Sequence, residues 1–159
     1  MNLLTVGIGG LETSDDRGAV IVTHGLGSCI AVVAWDPIRR AGGMLHFQLP
    51  TSALSPERAL GSPGTFADTG IPLLFERLYA LGCQKRNILV KAAGGGNFHG
   101  DNGTFDIGRR NHTAMRKIFW KAQVLVAAED VGASRSRTVR LFLDTGNVTV
   151  QSGSGVTPL

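Results

Sequence analysis

The chain has 159 residues, 43% hydrophobic, with 22 glycines and 6 prolines, which fits a single domain over residues 1–159 with a sizeable core and many tight connections and excludes a disordered chain. Its formal net charge of +4 is uneven: residues 1–80 hold five Arg against seven acids, and residues 81–159 hold eleven Lys plus Arg against five acids; with scattered basic residues, 6% aromatics and no recognisable binding module, this suits an acidic partner rather than nucleic acid. Two cysteines make no disulfide framework and suit reduced thiols in the cytoplasm, and neither the opening MNLLTVGIGG nor any later run reads as a signal peptide or a bilayer span.

In chain order, apolar and β-branched runs predict strands over residues 3–8, 19–24, 29–35 and 43–49, the last two joined by the turn signal Asp36-Pro37. Residues 51–65 read as a linker, either a flap over a site or a long surface loop. A helix follows, with Asp68 as candidate N-cap, Pro72 in the first turn, and a stripe of Ile71, Leu74, Phe75, Leu78 and Leu81 ending at Gly82. After a strand over 87–93, a second helix starts beyond Asp106 and carries Ala114, Met115, Ile118 and Phe119 inward, with Arg109, Arg110, Arg116, Lys117 and Lys121 toward solvent. Strands over 124–129, 137–143 and 147–151 close the pattern, and the Gly/Ser-rich tail 152–159 reads as flexible. Eight strands with two helices do not fit a doubly wound sheet. They predict an α/β (α+β) fold with two packed mixed β layers flanked by helices.

The chemistry concentrates between residues 20 and 50. Cys29 follows Gly25-Leu26-Gly27-Ser28, and His46 lies on the next apolar run, where period-2 alternation sets Met44, His46 and Gln48 on one face. An isolated cysteine is usually a small buried hydrophobe. The glycine context argues for more, because backbone amides near Gly27 and Ser28 can approach a ligand, stabilise an oxyanion and, with an imidazolium, lower the thiol pKa. Gly94-Gly95-Gly96 lacks the Gly-Lys-Ser/Thr ending of a nucleoside triphosphate loop and predicts a close backbone crossing near the site instead. Asp106, Glu129 and Asp130 form no ligand cluster by spacing, so no metal site is read.

The run Thr23-His24-Gly25-Leu26-Gly27-Ser28-Cys29, followed by Gly42-Gly43-Met44-Leu45-His46-Phe47-Gln48-Leu49-Pro50, resembles the signature of the CheD family of chemoreceptor glutamine deamidases. Phe66-Ala67-Asp68-Thr69, Ala93-Gly94-Gly95-Gly96, Asp106-Ile107-Gly108-Arg109-Arg110-Asn111, Ala128-Glu129-Asp130-Val131-Gly132 and Asp144-Thr145-Gly146 continue it in the family's order, over roughly residues 3–151. The resemblance implies a CheD or toxin-deamidase-like fold, Cys29 as nucleophile, His46 as general base and acid, and Thr23 as the group that orients the imidazole. It implies hydrolysis of receptor glutamine side-chain amides, and in some members of glutamate methyl esters, without metal or organic cofactor. The implied substrate is the cytoplasmic helices of methyl-accepting chemoreceptors, the implied partner a CheC-family phosphatase, and the implied state a cytoplasmic monomer; the alternative is a non-catalytic adaptor that binds receptor and CheC. Three places depart from the pattern: His24, expected to point away from Thr23; the segment 132–137, which lacks a second glycine after Gly132; and Asn97-Phe98-His99-Gly100.

Overall fold

A computed structural model describes residues 2–98 and 106–159; His99 and Gly100 lie outside the described residues. Two five-stranded mixed sheets pack face to face. The first has the order β1 (Asn2–Thr5), β3 (Ala19–Leu26), β8 (Arg137–Phe142), β9 (Val148–Ser152), β10 (Gly155–Pro158). The second has the order β2 (Leu11–Ser14), β5 (Ala41–Phe47), β4 (Ile30–Asp36), β6 (Leu89–Gly94), β7 (Val126–Val131). Within them β1 with β3 and β6 with β7 run parallel, and the other neighbours are antiparallel. Helices α2 (Ala67–Ala80) and α3 (Ile107–Ala122) cover the outer face of the second sheet, giving the α+β architecture with two β layers flanked by helices that the element pattern predicts.

Strand β4 is buried along its whole length, because alternate residues serve two cores. Ile30, Val32 and Ala34 meet α2 and α3, whereas Ala31, Val33 and Trp35 meet the first sheet. On α2 the stripe Ile71, Leu74, Phe75 and Leu78 is buried against β4 and β5; each such side chain contributes about 1.5–3 kcal/mol by leaving water. The five basic residues of α3 named above face solvent, as their spacing predicts.

Several local expectations differ from the structure. Phe66 occupies the N-cap position of α2, so Asp68 sits inside the first turn and accepts hydrogen bonds from Ser52 N at 2.8 Å and Ser52 Oγ at 2.7 Å instead of capping its own helix. Pro72 falls in the second turn, where it leaves the Asp68 carbonyl without its helical donor. Strands β2 and β10 were not expected, since LETS and GVTP are short and lack an apolar run. The tail read as flexible forms β10, antiparallel to β9, at a sheet edge where Pro158 is tolerated. Residues 51–65 carry a 3-10 turn (Ser52–Leu54), the short helix α1 (Pro56–Gly61) and a second 3-10 turn (Pro63–Thr65). This segment is pinned to the exit of β5, because Gln48 N and Leu49 N both donate to Thr65 O at 2.8 and 3.0 Å, and Ala67 N donates to Leu49 O at 3.0 Å.

Candidate active site

Thr23 and His46 meet between the two sheets, and Cys29 lies nearby at the entry to β4 without a hydrogen bond to the ring. Thr23 is on β3 of the first sheet, His46 on β5 of the second, and Cys29 immediately before β4. In the β4–β5 ladder Ala31 lies opposite His46, so Cys29, two residues before Ala31 and just outside the ladder, falls diagonal to His46 if the strand alternation continues. That face is the one turned toward β3. All three residues are buried: Thr23 at 0% exposure, His46 at 1%, and Cys29 at 8%, so of the three the cysteine keeps the most contact with solvent.

The hydrogen bonds assign the imidazole tautomer. Thr23 Oγ1 lies 2.6 Å from Val6 O and 2.8 Å from His46 Nδ1. A hydroxyl has one proton, and a carbonyl can only accept it, so Thr23 donates to Val6 and accepts from Nδ1–H. His46 Nε2 therefore carries the free lone pair, and among the described residues it is buried without a hydrogen-bond partner. A buried acceptor left unpaired costs about 1–3 kcal/mol. The main chain of His46 is held as well, with its N–H donating to Gly10 O at 3.0 Å and its carbonyl accepting from Gly9 N at 2.8 Å.

Electrostatics correct one expectation. An imidazolium was expected to hold Cys29 as thiolate, yet burial lowers the His46 pKa to about 4. Burial also raises the Cys29 pKa, against a smaller lowering by its own backbone N–H. Desolvation penalises the charged form of each group. Burial thus favours the neutral thiol and the neutral imidazole. Cys83, the second thiol, is buried beneath α2, and burial raises its pKa to about 11.

The loop before the thiol has its carbonyls tied down one after another. Gly27 O accepts from Gly96 N at 2.9 Å, Ser28 O from Asn111 Nδ2 at 3.0 Å, and Cys29 O from Gly95 N at 2.8 Å. Because carbonyl and following N–H point oppositely across a trans peptide, this arrangement fixes the directions of the Ser28, Cys29 and Ile30 amides. The glycine run is thus the close crossing expected of it. Gly94 has φ +117, and a Cβ there would stand 2.2 Å from Cys29 O. Gly108 repeats the logic on α3, where a Cβ would stand 2.3 Å from Gly96 O, so its absence lets the helix come down onto the loop. The ring of Phe98 packs over Gly27 and Gly96 at the edge of this loop.

Of the departures, His24 is exposed and turned away from Thr23, with its Nδ1 3.5 Å from Thr138 Oγ1. In the segment 132–137 the missing glycine is Ala133, which adopts φ +58 and accepts from Asn97 N at 2.8 Å. Arg137, 1% exposed, binds Gly132 O at 2.6 Å, Gly94 O at 3.3 Å and Asp130 Oδ1 at 3.3 Å; it is a clip that holds the end of β7 to the glycine run. Glu129 pairs with His112 at 2.9 Å. A surface cavity of about 630 Å³ among Phe119, Trp120, Lys121, Gln123, Val124 and Leu125 begins about 12 Å along α3 from Asn111 at the helical rise. Its lining holds no thiol, hydroxyl or imidazole. Sequence reasoning missed Asn111, although it closes the motif Asp106-Ile107-Gly108-Arg109-Arg110-Asn111.

Residues 48–152 match the family model described as CheD chemotactic sensory transduction, a span that includes Asn111 but begins after His46. Full-length relatives cover the rest. The chain is 72% identical over 159 residues, all of both chains, to the probable chemoreceptor glutamine deamidase CheD 2 of Anaeromyxobacter dehalogenans. It is 47% identical over 155 residues to the probable chemoreceptor glutamine deamidase CheD 1 of Syntrophus aciditrophicus, covering 98% of this chain and 97% of that one. The probable chemoreceptor glutamine deamidase CheD of the archaeon Methanococcus vannielii is 39% identical over 132 residues, 82% of this chain and 84% of its own. By sequence along its whole length, the chain belongs to the CheD family.

Proposed function

We propose that this protein hydrolyses selected glutamine side-chain amides on the cytoplasmic helices of chemoreceptors to glutamate, with Cys29 as nucleophile and a thioester intermediate. The observation that carries this reading is the Thr23–His46 hydrogen bond, which leaves the unpartnered Nε2 on the sheet face that also bears Cys29. The names of the full-length relatives supply the substrate class.

In the first half-reaction His46 Nε2 takes the Cys29 proton as the sulfur forms a bond to the glutamine Cδ. Negative charge moves to the amide oxygen, where backbone N–H groups of the Gly27, Ser28 and Cys29 loop receive it. The Cδ–N bond then breaks, Nε2–H supplies a proton to the departing nitrogen, and ammonia leaves a thioester. In the second half-reaction neutral His46 removes a proton from water, the hydroxide attacks the thioester carbon, and sulfur leaves to recover its proton from the imidazolium. The balance is glutamine and water in, glutamate and ammonia out. The same steps cleave a glutamate methyl ester with methanol as leaving group. Thr23 orients the ring but, being uncharged, does not offset the imidazolium that forms in each half, so turnover falls below the ~10 per second typical of metabolic enzymes. The protein acts as a monomer in the cytoplasm, and a CheC-family phosphatase is the partner that the family membership suggests.

Mass spectrometry of a receptor cytoplasmic fragment tests the reading. Wild-type protein converts particular glutamines, each with a gain of about 1 Da as the amide nitrogen is replaced by oxygen, and Cys29→Ala converts none. Equal behaviour of the two proteins removes the enzymatic claim and leaves a binding role.

A further inference from the structure

Asn111 lies on the inner face of α3, completely buried, four residues from the amphipathic core position Met115 and three from Gly108. Its carboxamide nitrogen donates twice, to Ser28 O at 3.0 Å and to Gln48 O at 2.9 Å. These carbonyls belong to the loop that precedes Cys29 and to the chain two residues beyond His46. Both partners are acceptors, so only the NH2 end can face them. Among the described residues the Oδ1 end is buried with no hydrogen-bond partner, a desolvation cost that the position carries alongside its two donations. A side chain that ties nucleophile loop to base strand at such an expense points to function.

We propose that Asn111 is a positioning residue of the deamidation site, which aims the Cys29 N–H at the oxyanion by holding the Ser28 carbonyl. The carbonyl of Ser28 and the N–H of Cys29 share one planar trans peptide and point in opposite directions. Pulling the carbonyl toward α3 turns the N–H away from α3, to the side on which the Cys29 sulfur lies, where that N–H already lowers the thiol pKa. The hydrogen bond to Gln48 O fixes the same helix to the His46 strand, so the donor keeps its register with the base. Gly108 is what brings the helix close enough: its Cα lies against Gly95 and Gly96, where a Cβ would meet Gly96 O at 2.3 Å and Gly95 O at 2.6 Å. Asn111 does not touch the substrate. It acts through the peptide it orients, and this role rests on the deamidase reading above.

The test compares wild type, Asn111→Ala and Asn111→Asp in the full chain, with deamidation of a receptor cytoplasmic fragment followed by mass spectrometry and Cys29 alkylation by iodoacetamide followed on the Cys29 peptide. Alkylation develops no carbonyl oxyanion, so it keeps only the smaller effect of that N–H on the thiol and reads mainly the thiol and its base. Asn111→Ala lowers kcat by about 10- to 100-fold, with KM and alkylation rate each within about twofold of wild type. Asn111→Asp has the native shape but donates a proton only as the carboxylic acid, so its kcat relative to wild type falls as pH rises from about 5.5 to about 8. That variant decides the matter if the alanine protein does not fold. The inference is overturned if either variant keeps kcat within about threefold at every pH, or if alkylation falls in step with deamidation. Wild type that converts no glutamine overturns the deamidase reading itself, a result distinct from active wild type with active Asn111 variants.

Discussion

Acidification gives the sharpest test of the buried base. His46 is 1% exposed, and burial holds its pKa at about 4, whereas an imidazole in the unfolded chain titrates near 6.5. Between those values the unfolded chain binds a proton on His46 that the folded chain does not. Folding stability therefore rises with pH across this window and is lost as pH falls from about 6.5 toward about 4. At about 1.36 kcal/mol per pH unit the full gap is worth about 3 kcal/mol, a large fraction of the roughly 5–15 kcal/mol that a domain has. Carboxylates also titrate at the lower end of the window, so the comparison needs a partner protein that lacks only the imidazole. His46→Asn serves, because its side-chain NH2 can still donate to Thr23 Oγ1. Urea unfolding measured at intervals from pH 7 to 4 is expected to show wild type losing about 3 kcal/mol more than His46→Asn. Parallel stability curves for the two proteins would refute the buried neutral imidazole and, with it, the neutral resting pair.

Three further outcomes follow from the same geometry. The rate of Cys29 alkylation by iodoacetamide should rise about tenfold per pH unit from about 7 to about 9, because only the thiolate reacts and burial keeps its pKa high; a rate already flat at pH 7 would mean a preformed ion pair. Thr23→Val removes the acceptor of Nδ1–H and the donor to Val6 O, and is expected to lose about 1–3 kcal/mol in thermal unfolding and about 10- to 100-fold in kcat, with Thr23→Ser close to wild type in both. Gly94→Ala sets a Cβ 2.2 Å from Cys29 O at a φ of +117; urea titration should register a loss of at least about 2 kcal/mol, and deamidation should fall with it as the loop shifts.

The large features were legible because they rest on periodicity. A buried stripe on α2, a basic outer face on α3 and eight apolar strands each announce themselves within a few residues, and two layers with flanking helices is what so many strands and so few helices can build. The edge strands β2 and β10 were not legible, since an edge needs no apolar face and LETS or GVTP reads as a turn until a neighbour supplies the ladder. Asp68 shows the same limit on a smaller scale: the residue type of an N-cap was there, but Ser52 from the preceding segment claimed the carboxylate. In the site, glycine spacing marked the loop and alternation placed His46 on the correct face. Local sequence does not encode what a polar side chain meets across the fold, and so Asn111 passed unread, although its two acceptors come from residues 28 and 48.

The protonation state was hidden for a related reason. A cysteine near a histidine suggests an ion pair if the surroundings are left out, and the surroundings are the inner faces of two sheets. Val6 O, Thr23 and the β4–β5 ladder bury the ring so completely that charge on either partner is opposed by desolvation. On the proposed mechanism such a site would react when a substrate brings an electrophilic carbonyl to the sulfur and an oxygen to the aligned amides, since a neutral thiol is a poor nucleophile. On the proposed deamidase mechanism, a thiol kept neutral by burial beside amides whose directions are fixed by Gly95, Gly96 and Asn111 would make ionisation depend on docking, and so confine reaction to the few glutamines that dock.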